Sequence, residues 1–131
     1  MTVAIDRSPI AEAMSRGTLS CQAETPLRTI ARMMSEHRVH CVVVTELDGV
    51  SESAWGIVTD VDLMGAANTD LDERTAADSA ATEMLTVGPE ETLERAAQLM
   101  SEHEVSHLVV VERDKPIGVL SSLDVAGALA G

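Results

Sequence analysis

The sequence predicts an α/β fold: two copies of one βαββα unit related by a pseudo-twofold axis, with small sheets packed together and helices outside. Three observations carry this. First, the chain repeats. Residues 27–44 and 93–110 are identical at nine of 18 positions, including Met34-Ser35-Glu36-His37 against Met100-Ser101-Glu102-His103, and residues 56–66 match 118–128 at four of 11. Second, Val42-Val43-Val44 and Leu108-Val109-Val110-Val111 are nearly continuous apolar runs, the pattern of strands covered on both faces. Third, each run follows a helical stripe. Leu27, Ile30, Ala31 and Met34, and then Leu93, Ala96, Ala97 and Met100, fall at i, i+3, i+4 and i+7.

The elements follow in order. Ser8-Pro9 has the form of a helix start, with Ser as N-cap and Pro in the first turn, and a short helix to about Met14. Leu19-Ser20-Cys21 is a brief extended piece. Thr25-Pro26 starts the second helix by the same logic. Strands are expected at residues 41–45 and 54–58, around a polar loop where the first copy holds four extra residues. A closing helix begins near Thr59 or Asp60. The second copy repeats this: a helix around residues 77–84, extended Thr86-Val87, the helix from Leu93, and strands at residues 107–112 and 116–120. A four-residue turn at residues 113–116 joins those strands, and a closing helix runs from about Ser122. The expected division is residues 9–67 for the first repeat, 68–75 for a polar, acidic connector and 76–131 for the second repeat.

Composition bounds the function. A chain of 131 residues, 45% of them apolar, can bury one core. That core must be aliphatic, since there is one Trp and no Phe or Tyr. Nucleic-acid modules that stack bases use aromatics, and a net charge of -13 repels phosphate backbones and anionic membranes. Neither nucleic acid nor membrane is expected as a partner. There is no apolar run of about twenty residues and no signal-peptide core, so a cytoplasmic protein is expected. Two Cys make no disulfide framework.

One pattern closes both copies: Gly56-Ile57-Val58-Thr59-Asp60-Val61-Asp62 and Gly118-Val119-Leu120-Ser121-Ser122-Leu123-Asp124. Glycine lets a strand turn closely past a ligand. The hydroxyl of Thr59 or Ser121 stands at a helix start, where free N–H groups suit a phosphate. Asp62 or Asp124, one turn on, accepts two hydrogen bonds and so matches a ribose cis-diol. The same spacing is also a capping box that merely closes the helix start. No nucleophile motif, P-loop or zinc-protease motif is present, so no enzyme is expected.

These corners, the helix Thr92-Leu93-x-x-Ala96-x-x-x-Met100, the Glu-His-x-Val junctions at residues 36–39 and 102–105, and the short leading helices ending at Met14 and Met84 together resemble a tandem pair of CBS domains, a stand-alone Bateman module. The resemblance covers about residues 9–128. It implies a regulatory sensor without catalysis that binds adenosine-containing ligands between the repeats, requires no cofactor, and forms homodimers that act on another protein. It also implies the lining. One cleft would use Ser20, Cys21, Thr59 and Asp62 with Ser106 and His107. The other would use Thr86, Val87, Ser121 and Asp124 with His40 and Cys41.

Phosphate-binding relatives often place Arg before the motif Asp, where this chain has Val61 and Leu123. AMP, adenosine or an S-adenosylmethionine-type ligand is therefore expected over a triphosphate, with Arg38 and Lys115 as the candidate compensating cations. Two alternatives stand beside the sensor: a ligand-free scaffold, and a metal- or redox-responsive protein using His40, Cys21 and Cys41. No metal ligands are assigned in the main reading, since His37 and His103 fall at helix C-termini, where His is favoured. Trp55 corresponds to Ile117 and is expected to fill core or interface.

Overall fold

The computed structural model describes residues 8–48, 51–80 and 84–130. After a 3-10 turn at Ile10–Glu12 come β1 (Ser15–Arg16), β2 (Ser20–Gln22), α1 (Leu27–His37), β3 (Cys41–Asp48), β4 (Ser51–Thr59), α2 (Asp60–Gly65), α3 (Ala76–Ser79), β5 (Thr86–Val87), α4 (Leu93–His103), β6 (His107–Glu112), β7 (Lys115–Ser121) and α5 (Ser122–Leu129). The βαββα order therefore appears twice, as β2-α1-β3-β4-α2 and as β5-α4-β6-β7-α5. Residues 81–83, over which the second leading helix was expected to run, and 49–50, in the first hairpin loop, lie outside the described residues.

The chain divides into two compact units, and their boundaries do not follow the repeat. Thr18–Met84 forms a central unit. The residues up to Gly17 join Leu85–Gly131 in a terminal unit. Each unit thus takes its leading segment from the other copy. In the terminal unit Pro9 bridges Thr92, Ile10 N–H donates to Glu91 O at 2.8 Å, and Leu93 N–H donates to Ser8 O at 2.9 Å. The central unit repeats this at shifted positions: Pro26 bridges Thr75, Ala76 N–H donates to Thr25 O at 2.9 Å, and Leu27 N–H donates to Arg74 O at 2.9 Å.

This exchange changes the reading of the helix starts. Pro9 and Pro26 are themselves the N-caps, extended and with no side-chain cap. Thr25 Oγ1 instead accepts from Gln22 N–H at 3.0 Å. A helix start needs partners for its free N–H groups, and here the carbonyl of a neighbouring segment supplies one at Leu27 and at Leu93. The polar, acidic connector at residues 68–75 bonds to the first helix, with Arg28 Nε donating to Asp72 at 2.6 Å and Arg28 N–H to Leu71 O at 3.1 Å.

In the central unit the sheet order is β2-β3-β4, parallel then antiparallel. Its core joins Leu27, Ile30 and Met34 of α1 to Val42, Val44 and Val58. The terminal unit has order β1-β7-β6-β5, with a core of Ile10, Leu93, Ala96, Leu108, Val110 and Leu120. Val43 and Val109 belong to neither of these clusters, yet both are fully buried. Side chains alternate across a strand, so β3 and β6 are covered on both faces, as their sequences imply.

Both β-hairpins carry a bulge at the same place. Val44 pairs with Gly56 and Thr45 with Ala54, leaving Trp55 as the extra residue; Ile117 is its counterpart between Gly118 and Pro116. Trp55 is 40% exposed and therefore no core filler. The second hairpin turns on two residues rather than four: Glu112 pairs with Lys115, and Arg113 and Asp114 both have positive φ, 53° and 66°. Such a turn favours Asn-Gly. The double change Arg113→Asn, Asp114→Gly is expected to raise stability by about 1 kcal/mol, because side chains in the left-handed region carry a steric cost. Urea unfolding checks it, and an unchanged or lower midpoint contradicts it.

Candidate functional site

Each unit gathers its sequence-marked residues at one end of its sheet. In the central unit Cys41, the first residue of β3, pairs with Thr59, the last of β4. On the other side of β3, Ser20 of β2 lies opposite Val43. The chain leaves β4 directly into α2, and Asp60 N–H donates to His40 O at 2.9 Å. In the terminal unit His107 pairs with Ser121, Thr86 lies opposite Val109, and Ser122 N–H donates to Ser106 O at 2.8 Å. Within its own unit each sheet thus sets Ser20, His40, Cys41, Thr59 and Asp62 at one corner and Thr86, Ser106, His107, Ser121 and Asp124 at the other. The clefts implied by the resemblance instead group His40 and Cys41 with Ser121 and Asp124, and Ser106 and His107 with Thr59 and Asp62.

Both corners are complete capping boxes. Thr59 Oγ1 accepts from Asp62 N–H at 3.2 Å, while Asp62 Oδ2 accepts from Thr59 N–H at 2.8 Å and from Thr59 Oγ1 at 3.1 Å. Ser121 and Asp124 make the same three bonds at 3.2, 2.8 and 3.0 Å. The cap uses one carboxylate oxygen, Oδ2, in each copy. Both Asp side chains are partly exposed, so Oδ1 is positioned to accept from a further donor such as a diol. Capping and ligand binding are therefore compatible in one residue. A third capping box, not anticipated from the sequence, joins Thr75 to Asp78 at the start of α3. There the same bonds draw the Asp78 carboxyl below its usual range. It follows no sheet strand, so the box alone does not mark a corner.

The motif glycines are required by packing. Gly118 is buried in mid-strand opposite Arg16 of β1, and a Cβ there would be driven into the Ser15 carbonyl oxygen and lie 3.2 Å from Met14 Sδ. A Cβ on Gly56 would meet Ala80 Cβ at 3.3 Å. In each case the neighbour is the exchanged leading segment.

The two corners differ in their polar groups. His40 Nδ1 donates to Asp60 Oδ2 at 3.1 Å, and Asp60 Oδ1 accepts from Val61 N–H at 3.0 Å. In the other corner the counterparts of His40, Cys41 and Asp60 are Ser106, His107 and Ser122, and Ser106 Oγ lies 3.0 Å from His107 Nδ1. Asp60 was not singled out in the sequence; its only signal there was an acidic residue beside the motif hydroxyl. Lys115 begins β7, six residues from Ser121, so it stands at the far end of the strand from that corner.

The CBS-domain family model matches residues 10–68 and 78–131. The chain belongs to the CBS-domain family. It is 26% identical over 121 residues to the CBS domain-containing protein YhcV of Bacillus subtilis, covering 91% of this chain and 84% of that protein. Among solved structures it resembles the CBS domain pair of protein MJ0100 in complex with 5′-methylthioadenosine and S-adenosyl-L-methionine, with a TM-score of 0.84, 18% identity and coverage of 95% and 97%. It also resembles Hypoxic Response Protein I with two coordinated zinc ions, with a TM-score of 0.76, 21% identity and coverage of 92% and 98%.

In this CBS pair, three of the twelve sequence-marked residues have buried side chains: Val87 at 2%, Cys21 at 7% and Cys41 at 8% exposure. They can offer a ligand their backbone only. The two thiols are free, and the register sets them apart. Cys21 pairs with Val44, three residues along β3 from Cys41, which places the thiols' strand positions about 10 Å out of step, too far for a disulfide. Among the described residues no group of three His, Cys, Asp or Glu side chains converges as a metal site requires. Burial pushes the Cys21 thiol up to about 11, and burial followed by the Asp60 charge pushes Cys41 up to about 12. Both are expected to resist iodoacetamide at pH 8 in the folded protein and to react in urea. A thiol whose folded value is raised keeps its proton while the unfolded thiol ionises, so stability is expected to fall as pH rises above about 9. Thermal midpoints from pH 7 to 10.5 check the sign, which Cys→Ala variants should flatten.

Proposed function

We propose that this CBS pair is a non-catalytic regulatory module that senses an adenosine-containing ligand, with the ribose diol held by Asp62 or Asp124. The observation that carries this is the double role open to both aspartates: Oδ2 closes the helix cap and Oδ1 remains at the sheet corner, twice, in the positions the repeat makes equivalent. Membership of the family and the fold shared with the MJ0100 pair support the ligand class. The positions before the two aspartates are Val61 and Leu123, both 73% exposed and uncharged, and Lys115 is remote. The position before each aspartate thus offers a ligand's phosphates no positive charge, which favours AMP, adenosine or a sulfonium adenosyl compound over ATP. Arg38, two residues from His40, is the remaining candidate cation.

Thermal shift tests this directly. At a hundredfold excess over Kd, a ligand selective for the folded state adds about 2.7 kcal/mol, or on the order of 10 °C for a chain of this size. AMP, 5′-methylthioadenosine or S-adenosylmethionine should give such a rise. No rise with any adenosyl compound overturns the reading and leaves the scaffold role, and a stronger rise with ATP than with AMP overturns the ordering.

We further propose that the module pairs with a second copy through its closing helices. Val61 and Met64 on α2 are 73% and 70% exposed, and α5 exposes Leu123 and Leu129 beside a shallow apolar groove lined by Ala97, Met100 and Val125 of the same unit. Such patches on a small, strongly acidic protein point to an interface. Val61→Asp with Leu123→Asp should convert a dimer to a monomer in sedimentation experiments without lowering helicity. Unchanged mass contradicts the interface.

A further inference from the structure

The two corners present different chemistry to a ligand, and Asp60 is the residue that makes the difference. In the central unit the Val61 N–H and the His40 imidazole are two donors beside the Thr59–Asp62 corner. Both are engaged by the Asp60 carboxylate, at 3.0 Å through Oδ1 and 3.1 Å through Oδ2. These are donors of the kind a ligand's phosphate needs, and here they meet an anion carried by the chain itself. The Asp60 charge also reaches Cys41, where it helps hold the proton on the thiol. In the terminal unit the position of Asp60 is taken by Ser122, and the hydroxyl of Ser106, which can donate or accept, lies 3.0 Å from His107 Nδ1. The hydroxyl and diol-binding elements of the corners are otherwise the same, to within 0.1 Å in every capping bond.

We propose that Asp60 sets the ligand class of the Thr59–Asp62 corner: its carboxylate holds the place of a ligand phosphate, so this corner takes adenosyl compounds with an uncharged or cationic 5′ group and rejects adenosine 5′-phosphates. At the Ser121–Asp124 corner Ser122 takes the position of that carboxylate. The inference rests on the reading that each corner holds a ribose. Two like charges sharing one set of donors repel and leave one of them unsatisfied, which is how a binding site discriminates by exclusion. A cation such as a sulfonium meets the opposite sign. One chain then answers two members of the adenosyl class, one at each corner.

Calorimetric titration of the full chain with AMP and with uncharged 5′-methylthioadenosine tests this. In Asp124→Ala, which leaves the central corner, 5′-methylthioadenosine should bind at least tenfold tighter than AMP. Adding Asp60→Ser, or the isosteric Asp60→Asn, should strengthen AMP about tenfold and change 5′-methylthioadenosine less than threefold. In Asp62→Ala, which leaves the terminal corner, Ser122→Asp should weaken AMP about tenfold. The readout is the ratio of the two affinities, which a general loss of stability does not move. An AMP preference at the central corner, or a ratio unchanged by Asp60→Ser and Asp60→Asn, overturns the role of Asp60 and leaves the ribose reading standing. Failure of the wild-type chain to bind either compound overturns both, and binding indifferent to Asp62→Ala and Asp124→Ala overturns the ribose reading.

Discussion

Gly118→Ala is expected to cost about 3 kcal/mol or more, and Gly56→Ala about 1 kcal/mol, although the two glycines are equivalent in the repeat. The asymmetry comes from what each added methyl would meet. At Gly118 it runs into the Ser15 carbonyl oxygen, a backbone atom fixed by the pairing of Ser15 with Val119 and Arg16 with Gly118. Relief requires β1 to leave the edge of β7. At Gly56 the nearest atom is Ala80 Cβ at 3.3 Å, at the C-terminal cap of the four-residue helix α3, and a shift of a few tenths of an ångström suffices. Urea unfolding of the two variants measures the difference. Hydrogen exchange adds a local signature: the Gly17 N–H, which donates to Ile117 O at 2.9 Å, should lose protection in Gly118→Ala before the core does. Equal losses in the two variants, within about 0.5 kcal/mol, would show that β1 is not held as described.

The combined change Asp62→Ala, Asp124→Ala should remove the adenosyl-induced thermal shift entirely, a loss of at least a hundredfold in affinity. It should also cost about 1 kcal/mol per cap in the absence of ligand. The two effects must be separated, because each aspartate closes a helix through Oδ2 and is assigned to the ribose through Oδ1. Asp78→Ala is the internal control. Asp78 makes the same capping bonds to Thr75, at 2.9 and 3.2 Å, with no corner beside it. That variant should lose stability and keep the full shift. A shift that survives the double substitution, or disappears in Asp78→Ala, removes the aspartates from the binding role.

The elements themselves were largely legible. His107–Glu112 begins and ends where the valine run and its flanks place it, and α1 and α4 start on the first residue of their apolar stripes. Both helices end on His and then on a residue with φ of 54°, Arg38 or Glu104. Glycine usually marks that position, so the stop was visible only through the shared Glu-His-x-Val junction. Of the candidate site the caps were legible, since Thr59 and Ser121 do cap and Asp62 and Asp124 do answer them. Asp60 was not, because its meaning depends on His40, twenty residues away, standing beside it across the end of the β3–β4 pair.

What the sequence determined by itself is what local physics controls: the periodicity of helix and strand, the hydroxyl-to-aspartate caps, and the existence of two copies. What only the tertiary structure decided is partnership. The leading segments are exchanged between the copies, since a three-residue 3-10 turn or a four-residue helix has too little apolar surface to choose its own partner. Each is instead claimed by the helix-start N–H group, the carbonyl and the glycine of the sheet it reaches. Burial of Val87 against Ile10 and Met14 and of Cys21 against Ala76 follows from that packing, while the pairing of Asp60 with His40 follows from the register of β3 with β4.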